Sequence, residues 1–277
     1  MRQGALVRSE LLKLRTTHVW WIFGIAMFAL TAVSLAFTVI EASFRLQQAS
    51  APPPPGAPPG LGGEDLQVAV AADIYTAGQF FGLMFALLLG ALLMTNEYQH
   101  QTASATFLAT PKRTPVVLAK LITAALIGAG LWAVATALDI VVGASWLASN
   151  VGPHLGRGEV AAAIGLNLLA YAIWGMLGVG LGALIRSQIG AVIVALALYV
   201  LTGAVARGMI MVLATYFDAP WLDQFAVLLP YTASQLLVEG IDLPNSPPRA
   251  LGAAILISYG LLAGVVGAAL TRRRDIT

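Results

Sequence analysis

The sequence contains no cysteine, and only 10% of its 277 residues are charged. The lack of cysteine excludes disulfides, thiolate metal sites and cysteine nucleophiles, and it leaves the redox compartment open. Soluble globular domains carry roughly 25% charged residues, so the low charge argues against a soluble protein. The sequence also lacks a G-x-x-x-x-G-K-[ST] loop, so we do not expect the chain to bind and hydrolyse ATP by itself.

Apolar residues make up 58% of the sequence and are gathered into six long blocks. About 20 apolar residues cross the roughly 30 Å of membrane hydrocarbon as a helix, and each block is long enough. The blocks predict an all-α integral membrane protein with six transmembrane helices. We place these spans at Val19 to Ile40, Asp73 to Thr95, Val116 to Trp146, Val160 to Ile185, Ile189 to Tyr216 and Ala250 to Leu270.

Basic residues are unevenly divided between alternate loops, and this asymmetry predicts the orientation of the chain. Cytoplasmic loops of membrane proteins carry an excess of Lys and Arg. The richer set is Arg2, Arg8, Lys13, Arg15, Lys112, Arg113, Lys120, Arg186, Arg272, Arg273 and Arg274, and the poorer set is Arg45, Arg157 and Arg249. We therefore expect both termini, the loop at residues 96–115 and the turn at Arg186 to be cytoplasmic.

The first eighteen residues predict a short amphipathic helix on the cytoplasmic lipid surface. Val7, Leu11 and Leu14 recur at helical spacing, while Arg8, Lys13 and Arg15 lie elsewhere around the helix. A basic topology signal with no further role is the alternative, and the two interpretations are compatible.

The loop at residues 96–115 reads NEYQHQTASATFLATPKRTP and is the most distinctive polar segment. Thr102 to Leu108 can form about two helical turns, because Pro111 lies beyond them. A compact helix held between two spans is one way for a membrane domain to receive force from a soluble partner. A simple connection between the spans is the alternative.

Residues 217–249 are too apolar for a solvated loop, are interrupted by Pro230 and are too short to cross the membrane. They predict short re-entrant or extracellular helices before the last span. Trp221 and Tyr231 are expected to anchor this segment at the interface between membrane and water.

Charged residues inside spans are costly and indicate function by default. Two stand out, Asp139 in the third span and Arg207 in the fifth. At 1.5 Å per residue they lie about 35 Å and about 27 Å along their spans, a level that Asn167 of the fourth span shares. The alternatives to a substrate role are an ion pair that fixes helix packing and an arginine that snorkels outward.

Gly178 and Gly182 form a G-x-x-x-G pair in the fourth span, a spacing that allows close approach between membrane helices. We interpret the pair as helix packing rather than as a defined dimer seam. The three histidines fall in separate loops, so no shared metal site is expected.

Three segments resemble the ABC-2 type permeases, the membrane subunits of many bacterial ABC exporters. They are Ser9 to Thr17, Asn96 to Lys120 and Thr271 to Thr277. The second of them carries the Glu97-Tyr98 pair, Thr102, Thr110-Pro111, Arg113 and Lys120 in an order similar to the family pattern before the third span. Gln101 stands where the family usually has glycine.

The resemblance implies a single ABC-2 type transmembrane domain over residues 1–277, in a bacterial cytoplasmic membrane. It implies that a coupling helix contacts a cytoplasmic ABC ATPase subunit, and that ATP and magnesium bind that partner rather than this chain. It also implies a second permease copy or homologue and contact with membrane lipids, without a catalytic site, a metal site or a nucleic-acid partner. The implied coupling residues are Glu97, Tyr98, Thr102, Phe107, Pro111, Lys112 and Arg113.

The expected function is export of a hydrophobic or amphiphilic substrate, such as a drug, antibiotic or lipid-like compound. Efflux of several drugs by a permease dimer falls within this expectation. A secondary transporter is one alternative, and it should show ionisable residues near mid-membrane and an internal repeat. A membrane anchor or assembly subunit without transport activity is the other.

Overall fold

Helices make up all the regular secondary structure in the part of the chain that the structure describes. The computed structural model describes residues 3–17, 19–50, 62–99, 113–185, 187–219, 221–241 and 247–273. Within them, six helical stretches are long and apolar enough to cross a membrane: Trp20–Ser50, Gly63–Gln99, Thr114–Asn150, Gly158–Leu184, Gln188–Tyr216 and Arg249–Thr271. The predicted six-span, all-α fold class is confirmed.

The α-helices of the described residues are α1 Gln3–Arg15, α2 Val19–Ser50, α3 Gly63–Tyr75, α4 Gln79–Gln99, α5 Arg113–Asn150, α6 Gly158–Leu184, α7 Gln188–Val200, α8 Ala206–Tyr216, α9 Trp221–Gln224, α10 Pro230–Val238 and α11 Arg249–Arg273. A π-helical turn, Leu201–Val205, joins α7 to α8, and a 3₁₀ turn, Phe225–Leu228, follows α9. We call the end of the bundle where α1 meets the start of α5 the α1 end. The opposite end, where α3 meets the residues between α5 and α6, is the α3 end.

The second span differs from its prediction, because it begins earlier and is broken. The block was expected to start at Asp73, whereas α3 begins at Gly63. Its first turn carries Glu64 and Asp65, and acidic side chains at this end of a helix interact favourably with the helix dipole. The chain then turns at residues 76–78 before α4 begins. An apolar block shows where a chain enters the membrane, but it does not show a short turn inside it.

Side chains of two other spans donate hydrogen bonds to the backbone at this break. The Ser34 hydroxyl donates to the Ala77 carbonyl at 2.6 Å, and the Tyr171 hydroxyl donates to the Gly78 carbonyl at 3.0 Å. Backbone polar groups within the hydrocarbon must find partners inside the protein. The break between α3 and α4 therefore holds α2 and α6 against the second span.

α4 is the central helix, and 15 of its 21 residues are buried. It lies against α6 so closely that a Cβ at Gly178 would overlap the Leu87 carbonyl oxygen, and a Cβ at Gly90 would overlap the Gly175 carbonyl. A Cβ at Gly182 would lie 2.6 Å from the Ala91 carbonyl oxygen. The G-x-x-x-G pair therefore packs inside this chain, which confirms the packing interpretation.

The segment before the last span contains α9, the 3₁₀ turn and α10, which begins at Pro230. Trp221 is 57% exposed, whereas Tyr231 is only partly exposed and packs edge-on at 5.7 Å from both Phe80 and Tyr199. The ring of Tyr231 therefore packs in an aromatic cluster with α4 and α7, and its role as an interface anchor stays a prediction. The re-entrant position of the whole segment stays a prediction.

We predict that Gly178→Ala lowers thermal stability. The added methyl group meets backbone atoms of α4, which can move only if α4 and α6 separate, and overpacking of this kind costs about 1–3 kcal/mol. Gly165→Ala is the matched control on the same helix, because a Cβ at Gly165 meets nothing within 4 Å. Thermal unfolding of both variants in one detergent measures the difference, and equal melting temperatures would contradict the packing described here.

The orientation of the bundle is tested with single introduced cysteines, because the chain has no cysteine of its own. Gly4 at the α1 end and Gly156 at the α3 end both have open space at the Cβ position. If the positive-inside assignment is right, a membrane-impermeant maleimide labels Gly156→Cys in intact cells and labels Gly4→Cys only after the membrane is permeabilised. The reverse pattern would invert the topology.

Candidate coupling site and intramembrane polar site

Four ionisable side chains from three helices meet at the α1 end. Lys120 Nζ lies 2.6 Å from Glu10 Oε2 and 3.1 Å from Glu97 Oε1. Lys13 Nζ lies 2.6 Å from Glu10 Oε1 and 2.8 Å from Glu97 Oε1. We call Glu10, Lys13, Glu97 and Lys120 the charge cluster, in which each ammonium bridges the same two carboxylates.

Most of the charge cluster is buried. Lys120 is 1% exposed, Glu10 3% and Glu97 5%, whereas the Lys13 side chain is 44% exposed. The Lys120 ammonium has three hydrogens to donate, and a third acceptor, the Leu93 carbonyl oxygen, lies 3.1 Å away. Buried charges are tolerated when they are paired and fully hydrogen-bonded, and these contacts meet that condition.

Lys13 lies on the solvent-exposed side of the charge cluster. Burial lowers the pKa of its ammonium, but the hydrogen bonds and charges of Glu10 and Glu97 outweigh that effect and raise the pKa above its ordinary value. Lys13 therefore stays protonated at neutral pH and keeps both carboxylates paired.

The charge cluster frames the predicted coupling segment. Glu97 lies in the last turn of α4 and Lys120 near the start of α5, so they bracket residues 100–112. α1 is attached to the same place, because Gln3 Nε2 also donates to the Pro115 carbonyl at 3.1 Å. The buried residues of α1 are Leu6 and Glu10, and the apolar residues Val7, Leu11 and Leu14 are partly buried.

The structure describes only part of the predicted coupling set. Glu97 is in the charge cluster, Tyr98 follows it on α4, and Arg113 begins α5. The other predicted coupling residues lie outside the described residues; they are Thr102, Phe107, Pro111 and Lys112.

A second polar site lies at the break between α3 and α4. Gln79 Nε2 donates to Asn167 Oδ1 at 2.9 Å and to the Ser234 carbonyl at 3.1 Å. The backbone N–H of Gly78 donates to Asp139 Oδ2 at 3.0 Å. The structure therefore brings Asp139 and Asn167 to the two ends of the same peptide segment.

Arg207 is not part of this site. It is exposed on α8, a helix with no buried residue, whereas Asp139 is 1% exposed. Among the described residues, no ion pair joins Arg207 to Asp139. The shared depth predicted for the two residues does not bring them together, because Asp139 is buried within the bundle whereas Arg207 is exposed on α8.

A cavity of about 280 Å³ opens at the α3 end beside this site. Arg45 crosses its rim, with Nη2 at 2.6 Å from Glu41 Oε1 and Nη1 at 2.8 Å from Asp73 Oδ2. Gln79 lies in its wall, so the cavity adjoins the break. We call it the α3-end cavity.

Comparison with protein families matches residues 5–273 to the family described as ABC-2 family transporter protein. The chain belongs to the ABC-2 transporter family. It is therefore a multi-pass membrane permease subunit of an ABC-2 type transporter. This family lacks the ATPase domain, and membership implies that the permease works with ABC ATPase subunits. The comparison with curated proteins gives no match.

Several residues of both sites in the permease escaped the sequence analysis. Neither Glu10 nor Lys13 was predicted to form a buried ion pair, although the two have the i,i+3 spacing of a helical ion pair. Gln79 is a polar residue inside an apolar block, and that signal was available in the sequence. Ser234 and Trp174, whose side chains are hydrogen-bonded at 2.8 Å, gave no comparable signal.

We predict that Lys120→Met strongly destabilises the permease, by about 3–5 kcal/mol, because it leaves two buried carboxylates with one partly exposed ammonium. Lys13→Met should cost less, since Lys120 still bridges both carboxylates. Arg8→Met, an exposed change on α1 outside the cluster, is the control for loss of one positive charge. Thermal unfolding in detergent measures the order, and a Lys120→Met protein that melts with the control would refute the cluster's structural role.

Proposed function

We propose that the permease exports its substrate by using ATP hydrolysed on a separate cytoplasmic subunit, and that the charge cluster carries the movement of that subunit into the spans. The observation that supports this proposal is the buried cluster itself. It fixes α1, the end of α4 and the start of α5 to one another at the base of the predicted coupling segment.

A coupling segment transmits movement well when the helices at its two ends are held rigidly together. A force on residues 100–112 reaches α4 through Glu97 and α5 through Lys120, which share Glu10 and Lys13 as partners. Separating these groups would leave buried charges unpaired, which typically costs several kcal/mol. The three helices therefore move together when the segment is pushed.

Close packing passes the movement from α4 to α6. The contacts at Gly90 and Gly178 join backbone to backbone, with no flexible side chain between the helices. A displacement of α4 along its axis therefore shifts α6 or breaks this contact. Since α4 begins at the intramembrane polar site, the same movement reaches Gln79 and the α3-end cavity.

A hydrophobic or amphiphilic cargo is part of the proposal, as is outward transport, which is the direction of the exporters that the chain resembles. An apolar groove of about 370 Å³ supports the cargo class. Its walls come from α4, α6, α7 and α11, and they include Leu87, Trp174, Leu177, Leu181, Leu198 and Leu262. Multidrug efflux is the broadest form of this activity.

A second permease copy or a homologue completes the proposed transporter. α8 has no buried residue, and its Met209, Met211 and Val212 are at least 60% exposed. Arg207 is exposed on the same helix, and a charge within hydrocarbon needs a polar partner or water. A partner permease against the fifth span would cover the apolar residues and give Arg207 a polar contact or a shared water-filled path.

The test is a mild-detergent pull-down from the native membrane, comparing Arg113→Glu with Arg157→Glu. The first reverses a charge beside the predicted coupling segment. The second reverses an arginine at the α3 end that forms surface ion pairs with Glu64 and Glu159, and exposed pairs of this kind contribute little to stability. We expect the wild type and Arg157→Glu to recover an ATPase with a Walker motif, and Arg113→Glu to lose it. Neither residue is one of the four that form the charge cluster.

Recovery of the ATPase with all three proteins would show that the segment at Arg113 is not the docking site. Absence of any ATPase from all three would contradict the proposal and favour the secondary transporter or the membrane anchor.

A further inference from the structure

Three of the hydroxyl groups that line the α3-end cavity have their hydrogens already committed to the protein. The Ser34 hydroxyl donates to the Ala77 carbonyl at 2.6 Å, Thr38 to the Ser34 carbonyl at 3.0 Å, and Thr76 to the Ala72 carbonyl at 2.8 Å. A hydroxyl has one hydrogen and two lone pairs. All three line the cavity, where they are left with acceptor capacity only.

Gln79 adds a buried acceptor to the same wall. Both hydrogens of its amide are used, one by Asn167 Oδ1 and one by the Ser234 carbonyl. A backbone carbonyl only accepts, so this contact fixes which end of the amide is the nitrogen. Gln79 Oε1 is left buried without a hydrogen-bond partner in the protein, in a side chain that is 2% exposed.

The rim of the cavity carries an excess of negative charge. Glu41 and Asp73 are carboxylates, and Arg45 is the one cation among the lining residues, which leaves a net charge of −1. The Arg45 guanidinium binds both carboxylates, at 2.6 Å and 2.8 Å. An entering anion would have to displace one of them from Arg45, whereas a cation would meet carboxylate oxygens that still have lone pairs free.

Two aromatic rings complete the lining. Phe80 and Tyr231 both face the cavity region, with their centroids 5.7 Å apart, and aromatic faces attract organic cations within about 6 Å. Tyr231 and Gln235 each keep one hydrogen to donate after their mutual bond at 2.7 Å. The positive charge of Arg207 also acts on the Tyr231 phenol. The Tyr231 side of the cavity is therefore less favourable for a cation than the rest of the cavity.

We propose that the α3-end cavity is a binding site for a small organic ammonium ion. Its ammonium hydrogens would be donated to the hydroxyl oxygens of Ser34, Thr38 and Thr76, and the negative end of the Gln79 amide dipole in the wall would add to the attraction. Its apolar body would lie against Phe80 and Val70. The acceptor-rich wall, the net negative rim and the aromatic rings all select this chemistry. The site requires neither ATP nor the partner subunit, so it stands or falls separately from the proposed export activity.

The experiment measures binding of three probes of similar shape to the purified full chain in an uncharged maltoside detergent. Benzylammonium, benzyl alcohol and benzoate differ mainly in the charge of one group. A hydrogen bond that involves a charged group typically raises affinity about tenfold more than a neutral one. We therefore expect benzylammonium to bind about tenfold more tightly than benzyl alcohol. Benzoate should not bind.

Equal binding of the three probes would show apolar partitioning only, and preferred binding of benzoate would show an anion site at Arg45. Either result would overturn the proposal. Competition by glycerophosphoethanolamine would assign the ammonium to a lipid headgroup, and failure to compete would assign it to a free amine. Both of these results keep the ammonium site.

Matched variants locate the binding. Asp73→Asn removes one rim charge and should weaken benzylammonium binding about tenfold. Asp65→Asn makes the same change at an exposed position of α3 that does not line the cavity, and it should leave binding unchanged. Equal loss in both variants would mean that general surface charge attracts the probe. Thermal unfolding of each variant confirms that it is folded when binding is measured.

Discussion

Hydrocarbon offers no hydrogen-bond partner to the backbone, and this constraint decides how the interior of the bundle is built. The break between α3 and α4 leaves the Ala77 carbonyl within an apolar block, and the Ser34 hydroxyl of another span satisfies it. The Gly78 carbonyl accepts from the Gly82 N–H, and Tyr171 of a third span adds a second hydrogen bond to it. The same turn presents the Gly78 N–H to Asp139 and begins α4 at Gln79. A single interruption in one helix thereby determines where the polar side chains of α2, α5 and α6 lie.

α4 joins the two polar sites. It begins at Gln79, beside Asn167 and the cavity, and its last turn carries Glu97, which lies in the charge cluster. Its 21 residues correspond to about 31 Å at 1.5 Å per residue, about the thickness of the hydrocarbon. Because α4 is also fixed to α6 along its length, the two ends of the bundle are mechanically connected through buried backbone contacts.

The sequence predicts the spans well and the polar contacts poorly, for a physical reason. Hydropathy depends on local composition, so the six blocks and the packing of Gly178 could be foreseen. The pairing of Glu10 with Lys120 joins residues separated by 110 positions, and no periodicity shows such a contact. Equal depth suggested an ion pair between Asp139 and Arg207, but depth does not fix the rotation of a helix about its axis, and Arg207 lies on an exposed face.

The composition of the charge cluster also constrains the order in which the protein is assembled. Glu10 is synthesised long before Glu97 and Lys120, and its carboxylate reaches its buried position only after both of the later helices are in place. Until α5 is in place, the buried position of Glu10 lacks the ammonium of Lys120, so α1 stays in water or at the lipid surface. Docking of the first helix is therefore a late step in biogenesis, and it occurs only when α4 and α5 are both in place.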